Sequence, residues 1–349
     1  MSVVLKRGTA VTIRDVAREA GVGLMTVSRV INEVPGHKFS PATAQKVRDA
    51  IDRLGYEPNN VARSLRGRRS GVIGVIITGI SDPFWASCAR GVELEARKRN
   101  YVPIVVATDE DCELEERQVA ALQAHRVDGM LIASTYRAKR TAVTKRLANL
   151  PTVAIDRPIV GLKCDCVLVD NLAAARNATE HLIGHGHRRI AFAGYADRVY
   201  TVRERIDGYL EAMERAGLER NVLEGAADPA ETHRRVIDVL KSPFRPTAFF
   251  AANTLVMLGI MQAAQQLGLN VPRDVAITGF EDFRWAEFVK PGLTVVRQPG
   301  EAMGQRAAQL LFDRLSGKQG PFEHCVLDTE LIVRESCGCG AEAVLRTAV

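Results

Sequence analysis

From Val72 onward one pattern recurs: a short unbroken apolar run, then a stretch with helical spacing. The runs GVIGVII, VPIVVA, DGMLIA and TVAID form one group, and RRIAFAG, TAFFAAN, VAITGF and LTVVRQP a second. The helical stretches are 84–99, 114–125, 137–149, 202–216, 254–267 and 300–316. Strands without polar alternation are covered on both faces, the condition of a parallel sheet flanked by helices. Roughly 280 residues are generous for one sheet and one core, so two α/β lobes are predicted. Ligands of such sheets bind beyond the carboxyl ends of the strands.

Those ends carry the candidate ligand groups. Asp82, Phe84 and Trp85 follow the first run, Asp156 and Arg157 end TVAID, and Asn253 follows TAFFAA. Glu281 and Asp282 follow VAITGF, Gln298 ends LTVVRQ, and Arg205 lies near a helix start with Gly208 and Tyr209. Carboxylates, amides and an arginine around aromatic faces suit a sugar, whose hydroxyls need polar partners and whose C–H face stacks on a ring. The patterning also serves dinucleotide enzymes, but TGISDPFW after the first run is not G-x-G-x-x-G, and no P-loop is present. No catalytic constellation and no cofactor are expected, so the chain is read as a binding protein and not an enzyme.

Charge separates the first fifth of the chain from the rest. The whole carries a formal +6, while residues 1–70 hold 13 Lys/Arg against 6 Asp/Glu, leaving the remainder near neutral. A small basic module on a neutral body suggests a polyanion, most simply nucleic acid. Its periodicity is helical. Thr12 caps a first helix with Asp15 three residues on, and Ile13, Val16, Ala17 and Ala20 form its apolar stripe. Gly21 can stop that helix, and a second starts at Leu24, which makes a helix-turn-helix. Ser40 caps a third, with Pro41 at its first position, Val47, Ala50, Ile51 and Leu54 buried, and Gly55 closing it.

In the run GVGLMTVSRVIN, Val27, Val30 and Ile31 face inward, leaving Met25, Ser28, Arg29 and Asn32 outward. Arg29 can fork onto guanine O6 and N7. Thr12, Thr26, Ser28, Asn32 and Ser40 are short donors for phosphate oxygens. Leu24 and Met25 suit apolar contact with base edges. In YEPNNVARSLRGRRSG, the segment NNVARSL can form two helical turns, too short to be stable without a partner. Leu65 among Arg63, Arg66, Arg68 and Arg69 suits a wedge into a minor groove, and Asn59 and Ala62 are grouped with it as DNA contacts.

The seven cysteines are an odd number, and the opening MSVVLKRGTAVTIRD lacks the order of a signal peptide. No apolar run approaches the ~18 residues of a membrane span. Reduced thiols and a cytoplasmic protein are expected. Cys164-Asp-Cys166 and Cys337-Gly-Cys339 are spaced too tightly for a usual zinc site, and His181, His185 and His187 read as a helix end before a strand; no metal is expected.

The sequences TIRDVAREAGV, TVSRVIN and GYEPNNVARSL resemble the headpiece and hinge of the LacI/GalR family of bacterial transcription regulators. DNLAAARNATEHLIGHGHRRIAFAG, RIDGY, FAANTLVMLG, VPRDVAITGFEDF and LTVVRQP resemble its effector-domain motifs, so the likeness spans nearly the whole chain. The resemblance implies an all-α helix-turn-helix headpiece (1–58), a hinge helix and linker (59–70), and an α/β two-lobed periplasmic-binding-protein-like (class I) effector domain (71–349) that also dimerises. It implies base reading by Leu24, Met25 and Arg29, and intercalation by Leu65. It implies effector contacts from Asp156, Arg205, Asn253, Glu281 and Gln298, with Phe84 and Trp85 in a first-lobe aromatic segment.

Three residues depart from the family pattern: Gly23 for a Ser, Thr254 for an Asp, and Glu281 for an Asp. The connection EVPGHKF is also longer than usual. The implied function is a homodimeric repressor on double-stranded operator DNA, controlled by a sugar, sugar acid or similar metabolite. The alternative is a sugar-binding or sugar-modifying α/β protein with an accessory basic segment. The tail GAEAVLRTAV has no leucine heptads, so no coiled-coil assembly is expected.

Overall fold

A computed structural model describes residues 11–31, 40–56, 69–135, 141–195, 199–225 and 229–339. Contacts divide the chain into two units, 1–70 and 71–349. The first contains α1 (Ile13–Ala20), α2 (Leu24–Ile31) and α3 (Pro41–Leu54). The Asp15 carboxylate accepts from the Thr12 N–H at 3.0 Å and from the Thr12 hydroxyl at 2.6 Å, which fixes the start of α1. Gly21 is left-handed (φ 64°), and the Val22 N–H returns to the Ala17 carbonyl, so α2 can start within three residues. Val16, Val27, Val47 and Ala50 are fully buried and form the module's centre with Ala17 and Ala20. The Ser40 hydroxyl accepts from the Thr43 N–H at 3.1 Å and caps α3.

The second unit holds two six-stranded sheets. Its strands are β1 (Val72–Ile77), β2 (Val102–Ala107), β3 (Gly129–Ile132), β4 (Thr152–Ile155), β5 (Asp165–Val169) and β6 (Ile190–Tyr195). They continue with β7 (Val222–Gly225), β8 (Ala248–Ala251), β9 (Ala276–Phe280), β10 (Thr294–Arg297), β11 (His324–Leu327) and β12 (Glu330–Ile332). The first sheet runs β11-β5-β4-β3-β1-β2, all parallel; the second runs β12-β10-β9-β8-β6-β7, parallel except for β12. Their helices are α4 (Pro83–Arg97), α5 (Cys112–Ala124), α6 (Thr141–Leu147), α7 (Asn171–Gly184), α8 (Tyr200–Arg215), α9 (Pro229–Leu240), α10 (Thr254–Gln266) and α11 (Gly300–Leu315).

The inner strands of each sheet are buried on both faces, as unbroken apolar runs require, while the edge strand β2 exposes Val102 and Ile104. The first is clad by α4 and α11 on one side and by α5 and α6 on the other. The second lies between α7 with α8 and α9 with α10. The chain passes between lobes three times, at 169–171, 297–300 and 327–330. The eight apolar runs are strands, as expected. Four strands, β5, β7, β11 and β12, and the helix α9 were not anticipated. β5 follows β4 through a loop with no helix, against the alternation that guided the reading; β11 and β12 are short edge strands, half exposed.

Candidate nucleic-acid interface and ligand cleft

In the basic module, α2 turns Val27 inward and presents Leu24 (42 % exposed) and Met25 (65 %) outward. Thr26, Ser28 and Arg29 are half-buried on the same short helix. Gly23 offers α2 no side-chain cap, although its carbonyl accepts from the Thr26 and Val27 N–H groups. The Thr12 hydroxyl spends its proton on Asp15, and Ser40 is engaged with Thr43 at 2.8 Å, so both act first as helix caps. A phosphate contact from Thr12 would require that proton to be redirected. Asn32, Asn59, Ala62 and Leu65 lie outside the described residues, as does the EVPGHKF connection.

In the second unit, parallel strands bring Asp82, Asp156, Asn253, Glu281 and Gln298 to the carboxyl edges of the two sheets. The lobes repeat one device. Asp156 follows β4 and Glu281 follows β9, each with positive φ (70° and 80°). Each donates its N–H to the next strand, to Val167 at 2.9 Å and to Val296 at 2.8 Å. A non-glycine residue in this region costs of order 1–3 kcal/mol and marks sites where the backbone must aim a side chain. The sheet ladder holds both carboxylates in that pose.

Arg205 rises from α8 and is 4 % exposed. Its Nε donates to Asn171 Oδ1 at 2.9 Å, an Nη to the Ala252 carbonyl at 2.7 Å, and its plane lies 3.6 Å over the Phe280 ring. α8 can approach α7 this closely because residue 208 is glycine: a Cβ there would sit 2.2 Å from the Leu172 carbonyl oxygen. Asn253 caps α10, its Oδ1 accepting from the Val256 N–H at 2.9 Å. Gln298 is 9 % exposed, and its Oε1 is buried with no hydrogen-bond partner.

The two departures Thr254 and Glu281 meet: Glu281 Oε2 accepts from the Thr254 hydroxyl at 3.0 Å and its N–H at 3.3 Å. An aspartate at 254 would repel Glu281, whereas threonine donates to it. Burial and the facing Asp82 carboxylate push Glu281 up to about 8, with Arg205 opposing. Burial and Asp156 likewise raise Asp82, which caps α4 by accepting from the Phe84 N–H at 2.8 Å. Asp82 therefore meets Asp156 within its own lobe and acts electrostatically on Glu281 and with Arg205 across the two lobes.

Two cavities have walls from both lobes. One, about 420 Å³, joins Ser81, Asp82 and Pro83 to Thr254, Glu281, Leu258, Phe283 and Trp285. The other, about 270 Å³, joins Ser134, Thr135 and Arg157 to Tyr200 and Arg203. Phe84 and Trp85 are 8 % and 3 % exposed, packed edge to face in the first lobe's core, and offer little surface for stacking. The exposed ring is Trp285, 52 % accessible and 4.1 Å from Phe283, which sequence reasoning missed; an aromatic pair just past a strand-end carboxylate was its signal. Asp282 is turned to Arg297 (2.7 Å) and Arg334 (3.0 Å), and Arg157 to Glu110 (2.9 Å).

Residues from the cysteine pairs and the histidines, from which no metal site was expected, come together in the fold. His181, His185, Cys337 and Cys339 place one ligand atom each within 4.8 Å of all the others. Cys164 and Cys166 belong to the first lobe's core and do not join them. The grouping mixes two residues one helical turn apart with a pair more than 150 residues later, a pattern no short motif describes.

Comparisons with known proteins agree with this architecture. The model for bacterial regulatory proteins of the lacI family matches residues 12–59, and that for a periplasmic binding protein-like domain matches 179–337. The ribose operon repressor of Escherichia coli is 35 % identical over 313 residues, 87 % of this chain and 93 % of its own. The HTH-type transcriptional repressor PurR of Mannheimia succiniciproducens is 31 % identical over 329 residues, 93 % and 98 % of the two chains. A lac repressor dimer bound to operator superposes with a TM-score of 0.83 at 26 % identity, covering 94 % of this chain and 99 % of that one. A complex of the regulator CelR with cellobiose gives 0.70 at 33 % identity, covering 93 % and 99 %. Among the described residues no helix is long and apolar enough to cross a membrane. With a matching headpiece, a matching periplasmic binding protein-like region and relatives above 30 % identity aligned over almost its whole length, the chain belongs to the lacI family of bacterial transcriptional regulators.

Proposed function

We propose that the chain is a repressor that binds a near-palindromic operator as a homodimer and is controlled by a neutral sugar held between the lobes. The observation that supports the ligand assignment is the mirrored pair Asp156 and Glu281, each held at positive φ just past a strand end, with Asp82 and Arg205 near enough to act on Glu281. Among the described residues, the only ionisable groups on the wall of the larger cavity are the carboxyls of Asp82 and Glu281, which disfavours a sugar acid and suits hydroxyl groups. Glu281, holding its proton near neutrality, can also donate. Two relatives support this class: one is a ribose operon repressor, and another was solved with cellobiose.

In this reading α2 lies in the major groove of one half-site, with Arg29 on a guanine and Leu24 and Met25 on base edges. Asn59, Ala62 and Leu65 belong to the hinge that reaches the centre of the site. Ligand acts by favouring one angle between the lobes, which requires different affinities for the two states. Repression, and not activation, follows the relatives' names.

Selection from random DNA by the full-length protein at a fixed salt concentration tests the first half. One enriched near-palindrome with a C·G-rich centre is expected; salt-sensitive binding without enrichment would favour the sugar-binding protein with a basic arm. The selected site then serves as a probe against neutral sugars and sugar acids. A response confined to acids would overturn the charge argument.

A further inference from the structure

The second lobe carries a ligand set that the cleft does not use. His181 and His185 stand one turn apart at the carboxyl end of α7, their rings 4.7 Å apart. Cys339 Sγ lies 2.9 Å from His185 Nε2 and 3.6 Å from His181 Nε2. Tetrahedral zinc with ligand distances of about 2.0–2.3 Å has ligand-to-ligand edges of roughly 3.3–3.8 Å. The four donor atoms lie within 4.8 Å of one another, so side-chain shifts of about 1 Å would bring them to that spacing.

The segment that delivers the thiols is held in place by its own bonds. Ser336 donates its hydroxyl to the Ile277 carbonyl at 2.7 Å and accepts from the Thr294 N–H at 2.8 Å, which anchors 333–339 across β9 and β10. Gly338 has φ 100°, a conformation that lets Cys337 and Cys339 turn towards the same histidines. The Thr294 hydroxyl donates to Cys337 Sγ at 3.1 Å, an outer bond of the kind that supports a metal-bound thiolate. Cys337 is fully buried, His181 and Cys339 are half-buried, and His185 is exposed, so an ion can enter from solvent past His185.

We propose that His181, His185, Cys337 and Cys339 bind one zinc ion that pins the segment after β12 to the end of α7. Two imidazoles and two thiolates suit zinc, whereas magnesium and calcium take oxygen. Four protein ligands leave no open position, so the site holds structure and activates no water. Both thiols release their protons to solvent on binding, and the imidazoles bind neutral. α7 begins at Asn171, which holds Arg205, so the ion would steady the far end of the helix that orients the cleft's arginine.

The test uses the full-length chain, stripped of metal under reducing conditions and titrated with cobalt as a spectroscopic probe. Expected are the visible bands of tetrahedral cobalt and a near-ultraviolet thiolate charge-transfer band, saturating at one ion per chain and displaced by zinc. Zinc should raise the unfolding temperature and magnesium should not. Cys339→Ser and His185→Ala should each weaken zinc binding by more than about 10-fold with the far-ultraviolet dichroism intact, while Cys164→Ser leaves it unchanged. An octahedral cobalt spectrum for the native chain overturns the proposal whether or not the variants fold. So does undiminished zinc affinity in a folded Cys339→Ser, or a Cys337–Cys339 disulfide that survives reduction.

Discussion

In the proposed function Arg29 and Glu281 have separate tasks, one on DNA and one in the ligand cleft. Arg29 lies on the outer side of a helix whose inner side is fixed by Val27. Arg29→Ala should cost about 1–3 kcal/mol at the selected operator and relax preference at one base pair. Equal weakening on every sequence, measured by titration of operator and scrambled duplexes, would make it a phosphate contact instead. Glu281 keeps its proton in the folded state up to about 8, whereas the unfolded chain releases it near the ordinary 4.5. Below that lower value both states are protonated and the contribution is intact; it is lost as pH rises towards about 8, because only the unfolded state gains by ionising. Glu281→Gln should remove this loss and stabilise the protein by more than about 1 kcal/mol near pH ~9. Thermal unfolding across that range checks it, and identical pH slopes for the two proteins would refute it.

At the scale of elements, the contact between α7 and α8 positions the cleft's arginine. Gly208→Ala would set a methyl against the Leu172 carbonyl, so the helices must part. A destabilisation of about 1–3 kcal/mol is expected, together with a weaker ligand response because Arg205 moves away from Asn171. Full response in a destabilised variant would separate packing from positioning. Elements with strong local signals were legible in the sequence: the three short helices of the basic module, two of them capped, the eight unbroken strands and the polar residues at their ends. β5 was not, because it follows β4 without a helix, and β12 has three residues and one antiparallel neighbour. Trp285 and the Thr254–Glu281 bond were invisible for another reason. They depend on which side chains meet after folding, which periodicity does not encode.

At the scale of the molecule, the division after residue 70 separates the charged reader from the ligand-binding body. Residues 71–349 should fold alone, keep ligand affinity within about 3-fold and lose operator binding, since both lobes and their cores lie within that span. Calorimetry with the ligand found by screening checks this, and a truncated chain that still retards operator DNA would refute it. Sedimentation of the intact chain at micromolar concentration should give a dimer; a monomer would remove the basis for reading paired half-sites.

The chain's two tryptophans fall one to each lobe, Trp85 sealed in the first and Trp285 half open on the cavity wall of the second. Their emission should therefore separate into a blue component that stays constant and a red one that shifts when the crevice dries. The protein thus carries an unlabelled optical gauge of its own occupancy, and replacing Trp285 with phenylalanine would silence the gauge while leaving the reference intact.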